Sequence, residues 1–415
     1  MALLVQKYGG SSLADAERIR GVALRIKRTA DAGNRVVAVV SAMGDTTDDL
    51  IALAGSITAD PKPRELDLLL STGELVSCTL VAMALHELGV DAVSMGGGQA
   101  GVRTDAAHGR ASIVALDPSR LQHELDAGRI AIVAGFQGFS EDMDTTTLGR
   151  GASDLTAVAL AAVLDAERCE VYTDVEGIYT ADPRIVPQAR KLDEIGYEEM
   201  LELASYGAKM QPRSIELAAW YNVPVLVASS MTDAPGTLIH QHAGRHETGD
   251  GEGQAMEIRN KVNGVTSERG IARITVRAVP DRPGVAAAIF EPLTAAGVSV
   301  DTIVQNASAE RLTDLSFTVD QAAVRAAMDV IRPVAEEVGA ADVVMDGHLG
   351  NVSVVGTGMQ NAPGYASTMF RALTSANVNI EMITTSQIRI TCLVDEARVE
   401  DAVRALHVAF ELHRA

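Results

Sequence analysis

The first twelve residues, MALLVQKYGGSS, constrain the fold more than any other stretch. Leu3-Leu4-Val5 predicts a buried strand, Gly9-Gly10-Ser11-Ser12 a turn, and a helical pattern starts near Asp15. A strand, a glycine turn and a helix N-terminus in that order suit a polyphosphate. Glycines let the backbone approach, and unpaired amides point at the anion. Lys7 adds a mobile positive charge one step before the turn. The chain holds only six lysines against twenty-nine arginines, so a lysine in an apolar strand is unusual here. The same residues also fit an edge-strand lysine before an ordinary turn.

Strand-like runs alternate with helical stretches through the first half. Residues 36–40, 92–95, 130–134 and 170–172 read as strands; 14–30, 63–87, 118–126 and 154–164 read as helices. That alternation predicts a three-layer α/β domain with a mostly parallel sheet and its ligands at the carboxyl ends of strands. The polar, glycine-rich stretch from His240 to Gly253, HQHAGRHETGDGEG, reads as a linker, and its three histidines as solvated rather than metal-binding. Beyond it, residues 281–303 align without a gap onto 361–383, with nine identities that include Pro283/Pro363, Gly284/Gly364, Phe290/Phe370 and Ile303/Ile383. Each copy has a strand, a Pro-Gly turn, a helix and two further strands, the ferredoxin-like βαββαβ order. Pro292 falls inside the first copy's helix and predicts a local distortion there.

A formal net charge of -20 argues against nucleic acid and anionic membrane as partners, so any anion site must be a local positive island. Lys7, Arg150, Arg184 and Lys209 are its candidates. Cys78, Cys169 and Cys392 are scattered in apolar surroundings and read as core thiols of a reducing compartment. No secretory signal is evident, and no apolar run approaches the roughly 20 residues of a membrane helix. A soluble, cytoplasmic protein is expected. Gly96-Gly97-Gly98-Gln99-Ala100-Gly101 satisfies G-x-G-x-x-G, but it follows neither the first strand nor precedes a clear helix, so a dinucleotide site is rejected. No G-x-x-x-x-G-K-[ST] occurs, which rejects a P-loop.

Lys7-Tyr8-Gly9-Gly10-Ser11-Ser12 resembles the opening signature of the aspartokinases, within the amino acid kinase superfamily. The resemblance continues through Ser41-Ala42-Met43-Gly44-Asp45-Thr46-Thr47-Asp48, Gly73-Glu74, Thr147-Leu148-Gly149-Arg150-Gly151, Tyr172-Thr173-Asp174-Val175 and Tyr179-Thr180-Ala181-Asp182-Pro183-Arg184. The duplicated C-terminal unit resembles a pair of ACT modules, which bind amino acids. The implied organisation is a catalytic domain at 1–240, a linker with the strand leading onward at 241–264, and ACT modules at 265–345 and 346–415.

The resemblance implies ATP-dependent phosphorylation of the side-chain carboxylate of L-aspartate. Phosphoryl transfer to a carboxylate needs no general base; it needs charge neutralisation, in-line positioning and exclusion of water. Lys7, Arg150, Asp154 and Lys209 would be catalytic. ATP would be held by Lys7, Tyr8, Gly9, Gly10, Ser11, Thr173, Asp174, Tyr179, Asp182, Arg184 and Lys209. Glu74 would take the substrate ammonium and Arg150 its α-carboxylate, with Ser41, Thr47, Gly151 and Ser153 beside them. Mg²⁺ is expected with ATP, held by phosphates and water and not by a protein metal site. Lysine or threonine would bind near Asp281, Gly284, Val285, Ala286, Gln305, Asn379 and Ile380, and the modules would pair chains into a homo-oligomer.

Some positions depart from the family pattern. Ala152 stands for a glycine, Gly96–Gly98 lose two hydroxyls, and the segment after Lys209 is one residue short. In the second module Ala366 and Gln387 replace a threonine and a glutamate, and Tyr365 a small aliphatic residue. These changes suggest a specialised paralogue with weakened feedback. Two rivals stay open: a kinase of another acidic or modified amino acid, and a non-catalytic amino-acid sensor. Met256 could begin a separately translated regulatory subunit, although an ordinary internal methionine fits better.

Overall fold

The computed structural model describes residues 1–241, 262–306, 312–357, 359 and 363–414. It divides into two compact units. The first takes in Met1–Ile178 together with the described residues from Lys191 to 241; the second takes in Tyr179–Arg190 and the described residues from 262 onward. Most of the linker, Met256 and Asn361 lie outside the described residues. His240 does not belong to a linker: it ends a strand, and its Nε2 lies 3.0 Å from Glu194.

The first unit begins with β1 (Leu3–Tyr8), α1 (Ala16–Asp31), β2 (Arg35–Val40), α2 (Thr46–Ile57), α3 (Pro63–Glu87) and β3 (Ala92–Met95). It continues through β4 (Val102–Thr104), β5 (Ile113–Leu116), α4 (Ser119–Asp126), β6 (Ile130–Ala134), β7 (Gln137–Phe139), β8 (Thr145–Thr147) and α5 (Ser153–Val163). β9 (Arg168–Thr173), β10 (Glu194–Gly196), α6 (Tyr197–Ser205), α7 (Pro212–Tyr221), β11 (Val225–Ser229) and β12 (Thr237–His240) complete it. Eight strands form one sheet in the order β10-β12-β11-β9-β1-β2-β6-β3, parallel throughout except for the β11–β12 pair. The near-continuous Val/Ala runs of β2 and β6 fit strands covered on both faces. α1 and α3 close one face, with Tyr8, Val36, Ala38, Val40 and Ile132 in a single apolar cluster, and α5 packs on β1, β2 and β9. β1 is therefore central, and its carboxyl end delivers Lys7 to the middle of the sheet edge where ligands bind.

α3 is long and apolar enough to cross a membrane, contrary to the expectation that no such run exists. Half of its most apolar stretch is buried, and Asp67 and Glu74 lie on its inward face. It is a core helix by these contacts. After β3 the chain enters the strand β4 and not a helix, so the G-x-G-x-x-G stretch lacks the context of a dinucleotide site.

In the second unit, β13 (Gly264–Pro280), α8 (Val285–Ala295), β14 (Ile303–Gln305), β15 (Leu312–Asp320), α9 (Val324–Val338), β16 (Asp342–Val355), α10 (Tyr365–Ser375), β17 (Met382–Thr385), β18 (Arg389–Asp395) and α11 (Val399–Ala409) build one six-stranded sheet, β14-β15-β13-β16-β18-β17. The two long central strands are shared. Residues 271 and 273–276 of β13 pair with both β15 and β16, while 264–269 pair only with 350–355 of β16. The register breaks near Gly270 and His348, both at positive φ (75° and 60°). The strand that completes the second module is thus supplied by residues 264–269, ahead of the first module, which differs from a boundary at 345/346. α8 runs unbroken through Pro292 to Ala295.

Candidate active site

The site is assembled at the carboxyl ends of β1, β2 and β9. Lys7 Nζ lies 2.7 Å from Asp154 Oδ1 in the first turn of α5, with both side chains about one-tenth exposed. The contact is an ion pair rather than an aligned hydrogen bond, because the Asp154 oxygen has no well-directed donor. The Gly9 amide is not free for a ligand: it continues the sheet to the Tyr172 carbonyl at 3.3 Å. A single 3-10 turn follows over Gly10–Leu13 and presents the first amides of Gly10 and Ser11. Gly10 is required by close approach, since a Cβ there would sit 2.8 Å from the Ala42 carbonyl oxygen. Tyr8 is fully buried, its ring stacked on Tyr172 at 5.1 Å; what it offers the site is backbone, not a nucleotide-facing ring.

The loop after β2 stitches this turn to α3. Ser41 N donates to the Tyr8 carbonyl (3.1 Å), Gly44 N to the Gly10 carbonyl (3.0 Å), and Ala42 N to Glu74 Oε1 (3.1 Å). Gly73 lets α3 come this close, because a Cβ there would fall 2.9 Å from that of Ala42. Glu74 is buried, and its Oε2 has no partner. Burial pushes its carboxyl up to about 7. A buried carboxylate oxygen without a partner is costly unless a donor or cation compensates it.

Arg150 sits between Gly149 and Gly151, both at positive φ, and extends largely into solvent to Asp48 of α2 at 3.2 Å. That places it at the helix turn carrying Thr47. Ser153 is buried at the start of α5. Ala152 has φ −75°, an ordinary value, and its methyl joins Leu70, Phe136 and Leu148 in a small core. The replaced glycine therefore carries no backbone strain. Lys209 lies in the loop between α6 and α7, and its Nζ contacts both oxygens of Asp174 (2.7 and 2.8 Å). That hydrogen bond holds the Asp174 carboxyl below its usual range. Thr173 Oγ1 also donates to Asp174.

Tyr179, Asp182 and Arg184 belong by their packing to the second unit. Arg184 forks onto Asp182 there, with Nη2 at 2.6 Å. The structure thus joins Lys7, Asp154, Ser41, Gly10 and Glu74 through shared contacts, and Lys209, Asp174 and Thr173 in a second cluster, but it assigns Tyr179, Asp182 and Arg184 to another unit. The effector residues are also divided. Asp281, Gly284, Val285, Ala286 and Gln305 are in the first module, with Val285 buried in its core. Asn379 and Ile380 lead into β17, at the opposite sheet edge from β14, and Asn379 Nδ2 donates to Glu381. The seven do not line one cavity within a single chain.

Sequence reasoning missed two anchors. Asp67, fully buried on α3, accepts from His108 (2.8 Å), Gly109 N and Thr147 N (both 3.0 Å). Arg213 at the start of α7 donates to the Leu148 carbonyl (2.8 Å) and the Ala111 carbonyl (3.1 Å), pinning the strand end that precedes Arg150. An acid inside a leucine run was the visible signal for Asp67; nothing local marked Arg213. Among the described residues no group of three or more His, Cys, Asp or Glu could hold a metal.

A parallel sheet with a lysine–glycine turn at its centre, followed by a duplicated ferredoxin-like unit, defines an amino acid kinase joined to ACT modules. The amino acid kinase family matches residues 2–229, and ACT domain families match 272–336 and 352–410. An aspartokinase from Mycolicibacterium smegmatis is 50% identical over 416 residues, spanning 99% of this chain and 97% of that protein. E. coli aspartokinase III in complex with aspartate and ADP (R-state) has a TM-score of 0.82 at 27% identity, covering 98% and 99% of the two chains. The same enzyme with lysine and aspartate (T-state) gives 0.72 at 26%, with the same coverage. The chain belongs to the aspartokinase family.

Proposed function

We propose how the residues of this site divide the work of an aspartate kinase. The enzyme transfers the γ-phosphoryl group of ATP to the side-chain carboxylate of L-aspartate. A carboxylate oxygen attacks γ-phosphorus, the bond to the β–γ bridging oxygen breaks, and 4-phosphoaspartate and ADP result. The nucleophile is already ionised, so the protein supplies charge and position.

Lys7 neutralises the transferring phosphoryl group, and Asp154 aims it. The turn amides at Gly10 and Ser11 hold phosphate oxygens, while Lys209, steered by Asp174, reaches the nucleotide from the other side. Thr173 lines the nucleotide; Tyr179, Asp182 and Arg184 lie on the excursion Tyr179–Arg190, which is grouped with the second unit, and take no part in this division. Glu74 takes the substrate ammonium; Arg150 swings from Asp48 to the α-carboxylate, its fork suited to bidentate binding. Ser41, Thr47, Gly151 and Ser153 complete the aspartate side. Mg²⁺ supplied with ATP would neutralise phosphate charge, and phosphate oxygens and water would hold it. In a cell the natural setting is the cytoplasm, where ATP is available.

The observation that carries this division is the unpartnered, buried Glu74 oxygen, on a carboxylate tied through one loop to the Lys7 turn. The test is hydroxamate formation from L-aspartate with ATP and Mg²⁺, comparing the wild-type chain with Glu74→Gln. The aspartate KM rises at least tenfold and the ATP KM stays put; an unchanged aspartate KM removes Glu74 from the substrate site. Lysine and threonine, added singly and together, probe the ACT pair. Inhibition weaker than that of a family member retaining the threonine and glutamate replaced by Ala366 and Gln387 is expected, and an ordinary inhibition curve rejects weakened feedback.

A further inference from the structure

β11, β9 and β1 lie side by side in the sheet, with β9 in the middle. The ladder between β1 and β9 ends at Tyr8 and Tyr172, and past that pair the Gly9 amide reaches the Tyr172 carbonyl at 3.3 Å. From there one chain enters the turn that carries the Gly10 and Ser11 amides, and the other runs on to Thr173 and Asp174. The ladder therefore does not set the spacing between the two clusters of the site. A pair of serines does. Ser12, a buried residue of the turn, donates from Oγ to Ser230 Oγ (2.8 Å), and Ser230 Oγ donates on to the Thr173 carbonyl (3.2 Å). The Ser230 amide donates to the same carbonyl (2.8 Å). The two serines thus meet across the carboxyl end of β9.

Ser230 does not follow the turn passively, because the loop after it is held from elsewhere. Arg25 of α1 donates to the Thr232 carbonyl (2.8 Å) and to Asp233 (3.1 Å), and its guanidinium lies 4.9 Å from the centre of the Tyr172 ring. On the other side, Thr173 Oγ1 donates to Asp174, whose carboxylate holds Lys209. A shift of the Thr173 carbonyl is therefore passed to the Lys209 ammonium, and a shift of Ser12 to the turn amides. We infer that Ser230 is a positioning residue for phosphoryl transfer, holding the phosphate turn through Ser12 and the Thr173-Asp174-Lys209 cluster through one carbonyl at a single spacing. It acts through these neighbours and not by touching substrate. The inference deepens the proposed division of the site and rests on both clusters holding ATP. A geometry fixed before the nucleotide arrives is what in-line transfer requires.

Steady-state hydroxamate formation by the full-length chain tests it. Ser230→Ala cuts the link and keeps the Ser230 amide bond. Its ATP KM should rise roughly three- to tenfold, the worth of one ordinary hydrogen bond. The aspartate KM should stay put, because Glu74 and Arg150 keep their partners. Ser230→Thr restores the hydroxyl and should restore the ATP KM; Ser230 borders an open cleft against α1, so the added methyl has room. Ser12→Ala breaks the same link from its other end, and the double alanine variant should be no worse than the worse single one. If Ser230→Ala does not fold, Ser12→Ala and Ser230→Thr carry the comparison. Lys209→Met, which removes a proposed phosphate contact, separates the inference from the reading beneath it. An unchanged ATP KM in Lys209→Met overturns the placement of the nucleotide and the inference with it. A raised value there beside an unchanged one in Ser230→Ala overturns the inference alone. So do serine effects that multiply in the double variant, or two KM values that rise together in Ser230→Ala, since either marks a purely structural seat.

Discussion

Lys7 and Asp154 meet at 2.7 Å between the end of β1 and the first turn of α5, largely shielded from water. The aspartate costs little to bury because the lysine is there, and the lysine is held in one place because the aspartate is. Asp154→Asn keeps the shape and removes the charge. It leaves the Lys7 ammonium buried without compensation, a change that costs about 3–5 kcal/mol where a pair is fully buried and less at this partial exposure. The variant should melt several degrees lower, and ATP should recover part of that loss by supplying new negative charge. Lys7→Met should lower kcat by roughly 10²–10³-fold, the range for losing one charge-stabilising donor. A Lys7→Met enzyme with normal kcat would remove it from the chemistry.

Glu74 gives a pH signature in both activity and stability. Its carboxyl is raised from 4.5 to about 7 by burial. The folded state therefore holds the proton more tightly than the unfolded chain, and stability falls as pH rises from 4.5 through 7. The span corresponds to on the order of 3 kcal/mol. Glu74→Gln should flatten this slope and melt higher than wild type at pH 8 without substrate. In the wild type, kcat/KM for aspartate should drop as pH falls below about 7, because a neutral carboxyl holds an ammonium poorly. Melting curves at pH 5, 6, 7 and 8 check the first statement, and initial rates at low aspartate check the second.

Much of the first unit is legible in residue patterns. The strands at 92–95 and 130–134 and the helix at 63–87 fall where apolar periodicity and Pro63 place them. The repeat also exposes the ACT pair, because a Pro-Gly turn ahead of an apolar helix is a local pattern. What stays hidden depends on long-range choice. Ala181, Ile185, Val186 and Ala189 would fit either core, and only tertiary contact places them against the second module. Residues 264–269 read as a strand in any arrangement, yet their partner is the far end of β16. The orphaned oxygen of Glu74 depends on three backbone segments meeting. Helical periodicity likewise could not separate the inward face of α3 from the outward one, since both are apolar.

Thr180 and His407 anchor that excursion inside the second unit. Thr180 Oγ1 lies 3.0 Å from His407 Nε2, and both residues are buried. Val265 N donates to the Thr180 carbonyl, and Arg190 Nε to the Leu412 carbonyl. Thr180→Val strands the ring nitrogen and should destabilise the second unit by about 1–3 kcal/mol. Burial, then the neighbouring His413 and Arg190, pull His407 below its ordinary 6.5. A depressed histidine contributes stability above that value and loses it as the medium is acidified. The second unit should therefore loosen below about pH 6.5, and His407→Gln should weaken that dependence. Hydrogen exchange of α11 across pH 5–8 reads both effects; protection that is flat in the wild type would reject them.

Arg213 separates a positioning role from a purely structural one. Its guanidinium spans two carbonyls, at Leu148 and Ala111, that lie on either side of the approach to Gly149-Arg150-Gly151. A lysine has a single ammonium and can satisfy one of them. Arg213→Lys should thus lose one charge-assisted bond, about 1.5–3 kcal/mol before the loop relaxes. If that loss is felt where Arg150 must meet the substrate, the aspartate KM rises roughly tenfold for each 1.4 kcal/mol. The ATP KM should stay near wild type, because Lys7, Asp174 and Lys209 keep their partners. A lower melting temperature with both KM values unchanged would make Arg213 a brace for the core and not for the substrate.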